Sequence, residues 1–141
     1  MKARLLVLAL GVAMVLPATL FLSVPARADG GMQLVVLPPI SKRTEFYGGS
    51  VIPLKFQLFD SSGMVVSDAM GTAWVNGLPA TTVGHANMGN MFRFDPKSEI
   101  YIYNLNTKPL PAGPGSPPST ITIQVVEGGT TIMESFTVNL A

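Results

Sequence analysis

The stretch that decides the fold is residues 51–59, which read Val-Ile-Pro-Leu-Lys-Phe-Gln-Leu-Phe. All of its even-numbered residues are apolar, whereas its odd-numbered residues are of mixed polarity. Alternation with a period of two is typical of a β-strand that has one buried face and one solvated face. Proline cannot donate to a sheet ladder, so Pro53 predicts that the strand lies at a sheet edge or that Pro53 stands near the start of the strand.

A second decisive signal lies near the C-terminal end, where two alternating apolar runs flank Glu127-Gly128-Gly129-Thr130. A type I′ turn needs a positive φ at both of its central residues, so the Gly-Gly pair predicts a two-residue hairpin. Apolar residues recur at every second position in both arms. Glu134 is the residue that breaks this pattern in the second arm.

The rest of the chain between these signals also indicates short strands. Gly63 closes an Asp-Ser-Ser-Gly turn, and Pro38-Pro39 ends a strand or moves the chain to another sheet. No run of ten or more residues has a convincing amphipathic helix pattern. The sequence therefore predicts an all-β, immunoglobulin-like antiparallel β-sandwich of about seven to nine strands. The expected strands are residues 32–37, 44–47, 51–59, 64–67, 72–76, 91–94, 99–105, 120–126 and 131–140.

The first 28 residues have the three parts of a secretory signal peptide. Two basic residues precede an uncharged apolar run at residues 5–24, and Ala26-Arg27-Ala28 supplies the small-x-small cleavage pattern. We expect cleavage after Ala28, which leaves residues 29–141 as the sandwich domain. The apolar run is also long enough for an uncleaved membrane anchor, but Pro17 and the cleavage pattern disfavour that alternative.

Charge and composition exclude several classes of partner. The whole chain has a net charge of +1, but residues 29–141 hold six basic and eight acidic residues, so the basic excess belongs to the leader. Without a basic patch we expect no nucleic-acid binding. The absence of cysteine excludes a lipid-modified cysteine and thiolate metal sites. No second apolar run is long enough to span a bilayer, so we expect a secreted or periplasmic protein that has no membrane contact after cleavage.

Residues 48–63 read GGSVIPLKFQLFDSSG and resemble the opening of the bacterial PxKF domain family. Phe92-Arg93-Phe94-Asp95 and residues 101–108, YIYNLNTK, resemble its second marker, a tyrosine strand that leads to a Thr-Lys pair. The closing hairpin at residues 125–140 resembles the end of the family domain. The resemblance covers about residues 46–141.

The resemblance implies an immunoglobulin-like domain of exported bacterial proteins that has no transferable catalytic residue. We expect Phe56 to face the core, while Lys55 faces outward and shields an edge strand from pairing with other chains. The chain departs from the family pattern at residues 113–119, which are longer, proline-rich and lack an aromatic residue. The residues carried over as fold markers are Pro53, Lys55, Phe56, Gly63, Gly128 and Gly129.

We find no set of residues in the sequence that indicates catalysis. There is one histidine, His85, and no serine lies in a G-x-S-x-G elbow. Asp95 and Glu99 are the candidates for a metal site or an acid–base pair, with Asp60 and Asp68 as further oxygen ligands for calcium. No D-x-D-x-D-G spacing is present, and turn capping is the simpler interpretation. We therefore expect no cofactor and no enzymatic activity.

Two functions stay open at this point. The first is an exported, non-catalytic structural or protein-interaction module, with strand addition at residues 51–59 or at the closing hairpin as its means of docking. The second is a carbohydrate-binding module that uses exposed aromatic residues. The platform candidates are Trp74, Tyr101 and Tyr103, with Phe92 and Phe94 as further available aromatic residues, although residues at strand spacing also fit a core. The sequence does not identify the protein or glycan partner.

Overall fold

The computed structural model describes residues 26–27 and 31–141, and in these ranges it contains ten β-strands. The predicted signal peptide lies outside the described residues except for Ala26 and Arg27. Nowhere in the described part of the chain is there a helix whose length and apolarity would let it cross a bilayer. The strands are β1 (Ala26–Arg27), β2 (Gln33–Leu37), β3 (Glu45–Phe46), β4 (Val51–Phe59), β5 (Met70–Val75), β6 (Leu78–Pro79), β7 (Arg93–Asp95), β8 (Ile100–Asn106), β9 (Ser119–Glu127) and β10 (Thr130–Leu140).

The strands form two five-stranded sheets that pack face to face. The first sheet has the order β1-β2-β4-β8-β7, and the second has the order β3-β10-β9-β5-β6. Every pairing is antiparallel except that of β3 with β10. In the first sheet, the order β2-β4-β8-β7 corresponds to strands A, B, E and D of the immunoglobulin fold. In the second sheet, the order β10-β9-β5 corresponds to strands G, F and C. The predicted immunoglobulin-like sandwich is therefore confirmed.

The core lies between the sheets and is centred on the apolar face of β4. Residues 52, 54, 56 and 58 are buried, as the alternation predicts. The Phe56 ring stacks on Tyr101 at a centroid distance of 4.6 Å and meets the edge of Phe92 at 4.9 Å. On the facing sheet, a Cβ at Gly71 would lie 2.9 Å from the Phe56 ring. Glycine at this position therefore leaves the space that the ring occupies.

The expectation that β4 lies at a sheet edge is wrong, because β4 pairs with β2 on one side and β8 on the other. Pro53 is tolerated because it lies near the strand start. Pro53 pairs with Asn104 of β8, whose N–H points away from β4 and donates to Asn87. The two residues are therefore a non-hydrogen-bonded pair, and the nitrogen of Pro53 points toward β2. There β2 has already ended at Leu37, which pairs with Lys55. Lys55 therefore lies in the middle of the sheet and does not shield an edge.

Turn chemistry was predicted well from sequence. Gly128 and Gly129 have φ values of 53° and 79°, as a type I′ hairpin requires, and Gly63 has a φ of 84° in its turn. The chain also changes sheet after Pro38-Pro39, since β2 belongs to the first sheet and β3 to the second.

Two short segments differ from the sequence prediction. Residues 64–67 do not form a strand; only Val65 makes an isolated bridge, to Phe59, because the chain then crosses to the second sheet and starts β5 at Met70. Conversely, Leu78–Pro79 forms the two-residue β6, which carries no alternation that a pattern could reveal. With β1 in the predicted leader, these differences account for ten strands instead of nine.

One side of the sandwich is closed by the irregular segment 81–92, which runs between β8 and β5. Asn87 is buried and holds it in place. Its amide donates to the carbonyls of Ile102 at 2.9 Å and Met91 at 3.1 Å, and its Oδ1 accepts from the Asn104 N–H at 3.2 Å. A side chain that satisfies three backbone groups takes the place of a strand at this edge of β8.

Replacing Asn87 with alanine should lower the free energy of unfolding by about 1–3 kcal/mol, because buried backbone groups lose their partner. Urea unfolding followed by Trp74 fluorescence measures this change. The exposed Asn139 provides the matched control, and Asn139→Ala should change the stability by less than about 0.5 kcal/mol. Equal stability of the two variants would contradict the role given to Asn87.

Candidate functional site

The structure places two of the three aromatic candidates in the core. Tyr101 and Tyr103 are buried, so the expectation that they belong to an exposed sugar platform is wrong. The Tyr101 hydroxyl donates to the Val66 carbonyl at 2.7 Å and accepts from the Ala69 N–H at 3.1 Å. The Tyr103 hydroxyl donates to the Gly89 carbonyl at 2.9 Å, and burial raises the pKa of Tyr103 to about 12. Both hydroxyls therefore fix connecting segments.

Trp74, the third candidate, lies on the opposite side of the second sheet from the core. It is half-buried, and its strand neighbours are Thr122 on β9 and Pro79 on β6. Its indole Nε1 donates to the Thr72 hydroxyl at 3.0 Å. The ring is therefore held in one orientation and remains partly accessible from solvent.

Trp74 belongs to a broad surface that we call the outer face, formed by the side chains of β5, β9 and β10 that point away from the core and by Met91, which bridges to Thr72 of β5. None of these side chains is charged. Met70, Met91, Met133 and Val126 are exposed on it, and strand pairing places Met70 beside Val126. The other members are Thr72, Trp74, Thr120, Thr122, Gln124, Thr131, Ser135, Thr137 and Asn139.

Charged side chains surround the outer face without entering it. Glu127 stands at the closing hairpin, Asp68 precedes β5, and Glu45 pairs with Asn139 at the far edge. In the first sheet, by contrast, Lys55 of the central strand β4 and Arg93 of the edge strand β7 both pair with Ile102, so the solvent side carries cations. The two faces of the molecule therefore differ in charge.

A groove of about 310 Å³ adjoins the outer face beyond β6. Its walls are mainly apolar and include the exposed Leu78, together with Pro79 and Leu105. The proline-rich loop after β8 supplies Leu110 to its other side.

Asp95 and Glu99, the candidate metal or acid–base residues, form a turn between β7 and β8. The Asp95 carboxylate accepts hydrogen bonds from the Ser98 hydroxyl and, at 3.3 Å, from the Lys97 N–H. The hydrogen bond from Ser98 is the main reason why the pKa of Asp95 lies below its usual range. Glu99 donates its backbone N–H to the Asp95 carbonyl at 2.8 Å and has a φ of 57°. The two residues therefore cap a turn.

The remaining polar candidates are separate from one another. Asp60 caps its own turn by accepting from the Ser62 and Met64 N–H groups, and the Ser62 hydroxyl bond lowers its pKa. His85 is exposed in segment 81–92. Among the described residues, no three His, Cys, Asp or Glu side chains come together in a way that could hold a metal ion.

The placement of the tyrosines can be checked by nitration with tetranitromethane. We expect modification of Tyr47, whose side chain is 80% exposed, and protection of Tyr101 and Tyr103 in the folded protein. Peptide mass mapping reads out all three sites. Addition of denaturant should make the two core tyrosines react, and their modification in the native protein would contradict the burial described above.

Comparison with known proteins adds no further assignment. No model of a known protein family matches the chain, and no curated protein matches it significantly. The functional argument therefore depends on the outer face and on the residues around it.

Proposed function

We propose that this chain is an exported, non-catalytic module that binds a protein partner through the outer face of its second sheet. The observation that carries the proposal is the combination of exposed methionines and absence of charge on that face. Large apolar patches rimmed by polar residues are typical of interaction sites. Depletion of charge at the centre and enrichment in Met and aromatic residues are typical of protein interfaces.

The chemistry of the outer face favours a protein over other partners. Met70, Met91 and Met133 are flexible and polarizable, so they adapt to the surface of a partner. The hydroxyl and amide groups between them can complete hydrogen bonds at the rim of a contact; Thr122 and Ser135, for example, are joined at 2.8 Å. Two acidic residues at the edge of the outer face, Glu45 and Glu127, would help to fix the orientation of the bound partner through electrostatic complementarity.

The location outside the cytoplasm is supported by the sequence of the leader and by the resemblance to the PxKF family. Its fold markers Pro53 and Lys55 occupy the start and middle of the central strand β4, and Phe56 lies at the centre of the core. The core position of Phe56 explains that marker as a structural requirement, in keeping with a family that carries no catalytic residues.

The proposal predicts that charge on the outer face weakens partner capture. The full chain is expressed in its native host and used as bait in pull-downs from envelope and culture fractions. The double variant Met70→Lys/Met133→Lys should reduce capture of its specific partner about tenfold or more, because the contact would bury unpaired charges. Both side chains are exposed, so the free protein should keep its fold, which circular dichroism checks.

Val51→Lys is the matched control for this experiment. Val51 is also an exposed apolar residue, but it lies on the solvent side of the first sheet. Partner capture by this variant should equal that of the natural chain. Loss of capture by Val51→Lys with retention by the double variant would refute binding through the outer face.

A second candidate function, glycan binding by the same face, is favoured by Trp74 alone. The indole is partly accessible and lies next to Thr72 and Thr122, which could accept or donate hydrogen bonds to sugar hydroxyls. Titration of the protein with a panel of polysaccharides, followed by Trp74 fluorescence, distinguishes the two candidates. A saturable change, together with loss of binding by Trp74→Phe in isothermal titration calorimetry, would support the glycan, and a flat response would leave the protein partner.

A further inference from the structure

The strand β10 has a long edge that no other described strand covers. It pairs with β9 along residues 130–138, but with β3 only at Asn139 and Leu140. A two-residue hairpin makes Thr130 a hydrogen-bonded partner of Glu127, so the even-numbered residues of β10 bond to β9. The odd-numbered residues direct their N–H and C=O groups away from β9. Asn139 shows this direction, since its N–H donates to the Thr44 carbonyl at 2.7 Å.

The free backbone groups of this edge belong to Thr131, Met133, Ser135 and Thr137. Within the described part of the chain, no backbone hydrogen bond joins them to another segment. Unpaired edges of this length are templates for the addition of another strand. The feature that most strongly marks this edge is Glu134, which lies at its centre.

Glu134 lies on the inward side of β10, between Ile132 and Phe136 and opposite Ile123 of β9. Its side chain is half-buried, and burial raises the pKa of Glu134 above its ordinary value of 4.5. A charge that points inward from an edge strand is one of the known means by which proteins prevent pairing between edges.

Charged groups on the elements packed against β10 are few. β9 carries Glu127 and β3 carries Glu45, each near an end of β10, about four or more residues along the strand from Glu134. The two-residue β1 also runs close to β10. At the level of Glu134, the β9 partner is the apolar Ile123.

The geometry of the edge selects one symmetric pairing between two copies of the chain. In an antiparallel pair, residues 131 and 133 would face 137 and 135 of the second copy, so that all four free residues of each copy form hydrogen bonds. A shift of the register by two residues leaves one of the four outside the match. The full match brings the two Glu134 residues together on the two-fold axis, as a non-hydrogen-bonded pair, where opposing side chains are closest.

We propose that the edge of β10 is a self-association site for a second copy of this chain, and that the charge of Glu134 keeps it closed. Apart from Glu134 the edge is uncharged from residue 130 to 140, so nothing else on it opposes the symmetric pair. Removal of the charge allows the two β10 strands to join and makes the two outer faces continuous. This inference does not depend on the partner proposed above.

The test compares Glu134→Gln with the natural protein, each isolated after expression of the full chain. Sedimentation velocity at pH 7 should show dimers of Glu134→Gln at least tenfold tighter than those of the natural protein. Glu127→Gln removes a carboxylate from the neighbouring strand and should behave like the natural protein. Association that rises equally in both variants, or a folded Glu134→Gln that stays monomeric, would overturn the proposal.

Two further variants test the place and the register of the contact. Ser135→Pro in the Glu134→Gln background removes an N–H that faces away from β9, so it should return the protein to a monomer with its fold intact, as judged by circular dichroism. The chain has no cysteine, so Glu134→Cys should form a disulfide-linked dimer on oxidation, whereas Glu127→Cys should not. Dimers that persist with Ser135→Pro, or a Glu134→Cys that does not cross-link, would place the contact elsewhere.

Acidification neutralises Glu134 in the natural protein and so removes the same charge as Glu134→Gln without mutation. Because burial raises the pKa of Glu134, the side chain takes up its proton at a higher pH than an ordinary glutamate. Dimerisation should increase as the pH falls through that raised value, and Glu134→Gln should show no such dependence. A natural protein and a variant with the same pH profile would refute the role of Glu134.

Discussion

The packing of Phe56 against the facing sheet is the interaction on which the rest of the structure depends. Its ring stacks on Tyr101 in its own sheet and fills the space that Gly71 leaves in the other. The same tyrosine then binds Val66 and Ala69 through its hydroxyl, and so fixes the segment that crosses between the sheets. One aromatic contact therefore sets both the separation of the sheets and the path of the chain from β4 to β5.

This use of aromatic residues inside the sandwich determines what is left for function. Burial of Tyr101, Tyr103 and Phe92 leaves Trp74 as the aromatic residue of the second sheet's solvent side. Threonine and serine hydroxyls on that side form hydrogen bonds with one another or with the backbone. These polar groups therefore need no charged side chain as a partner. Uncharged and partly apolar, the outer face gains more from desolvation by a partner than the first sheet, where Lys55 would have to be dehydrated.

Sequence reasoning predicted the features that depend on local periodicity. The alternation of residues 51–59, the Gly128-Gly129 turn and the change of sheet after Pro38-Pro39 are all determined within a few residues. The central position of β4 could not be predicted, because it depends on where β2 ends. The outer face was also missed: Met70, Val126 and Met133 are distant in sequence and become neighbours only through the order β10-β9-β5. The buried tyrosines were ambiguous because strand spacing fits either face.

The two open sides of the sandwich are protected from further strand pairing in different ways, and this difference explains why Glu134 is present. On one side, segment 81–92 and the amide of Asn87 satisfy the backbone of β8, so that edge accepts no further strand. On the other side, β10 has no comparable cover within the described residues, and an apolar residue at position 134 would continue the pattern of Ile132 and Phe136. Such a strand would be uncharged, long and free along one edge, which are the conditions for uncontrolled pairing. A half-buried carboxylate destabilises the fold at neutral pH, since its raised pKa means that stability falls as the proton leaves. That cost is consistent with selection for a closed edge rather than for maximum stability.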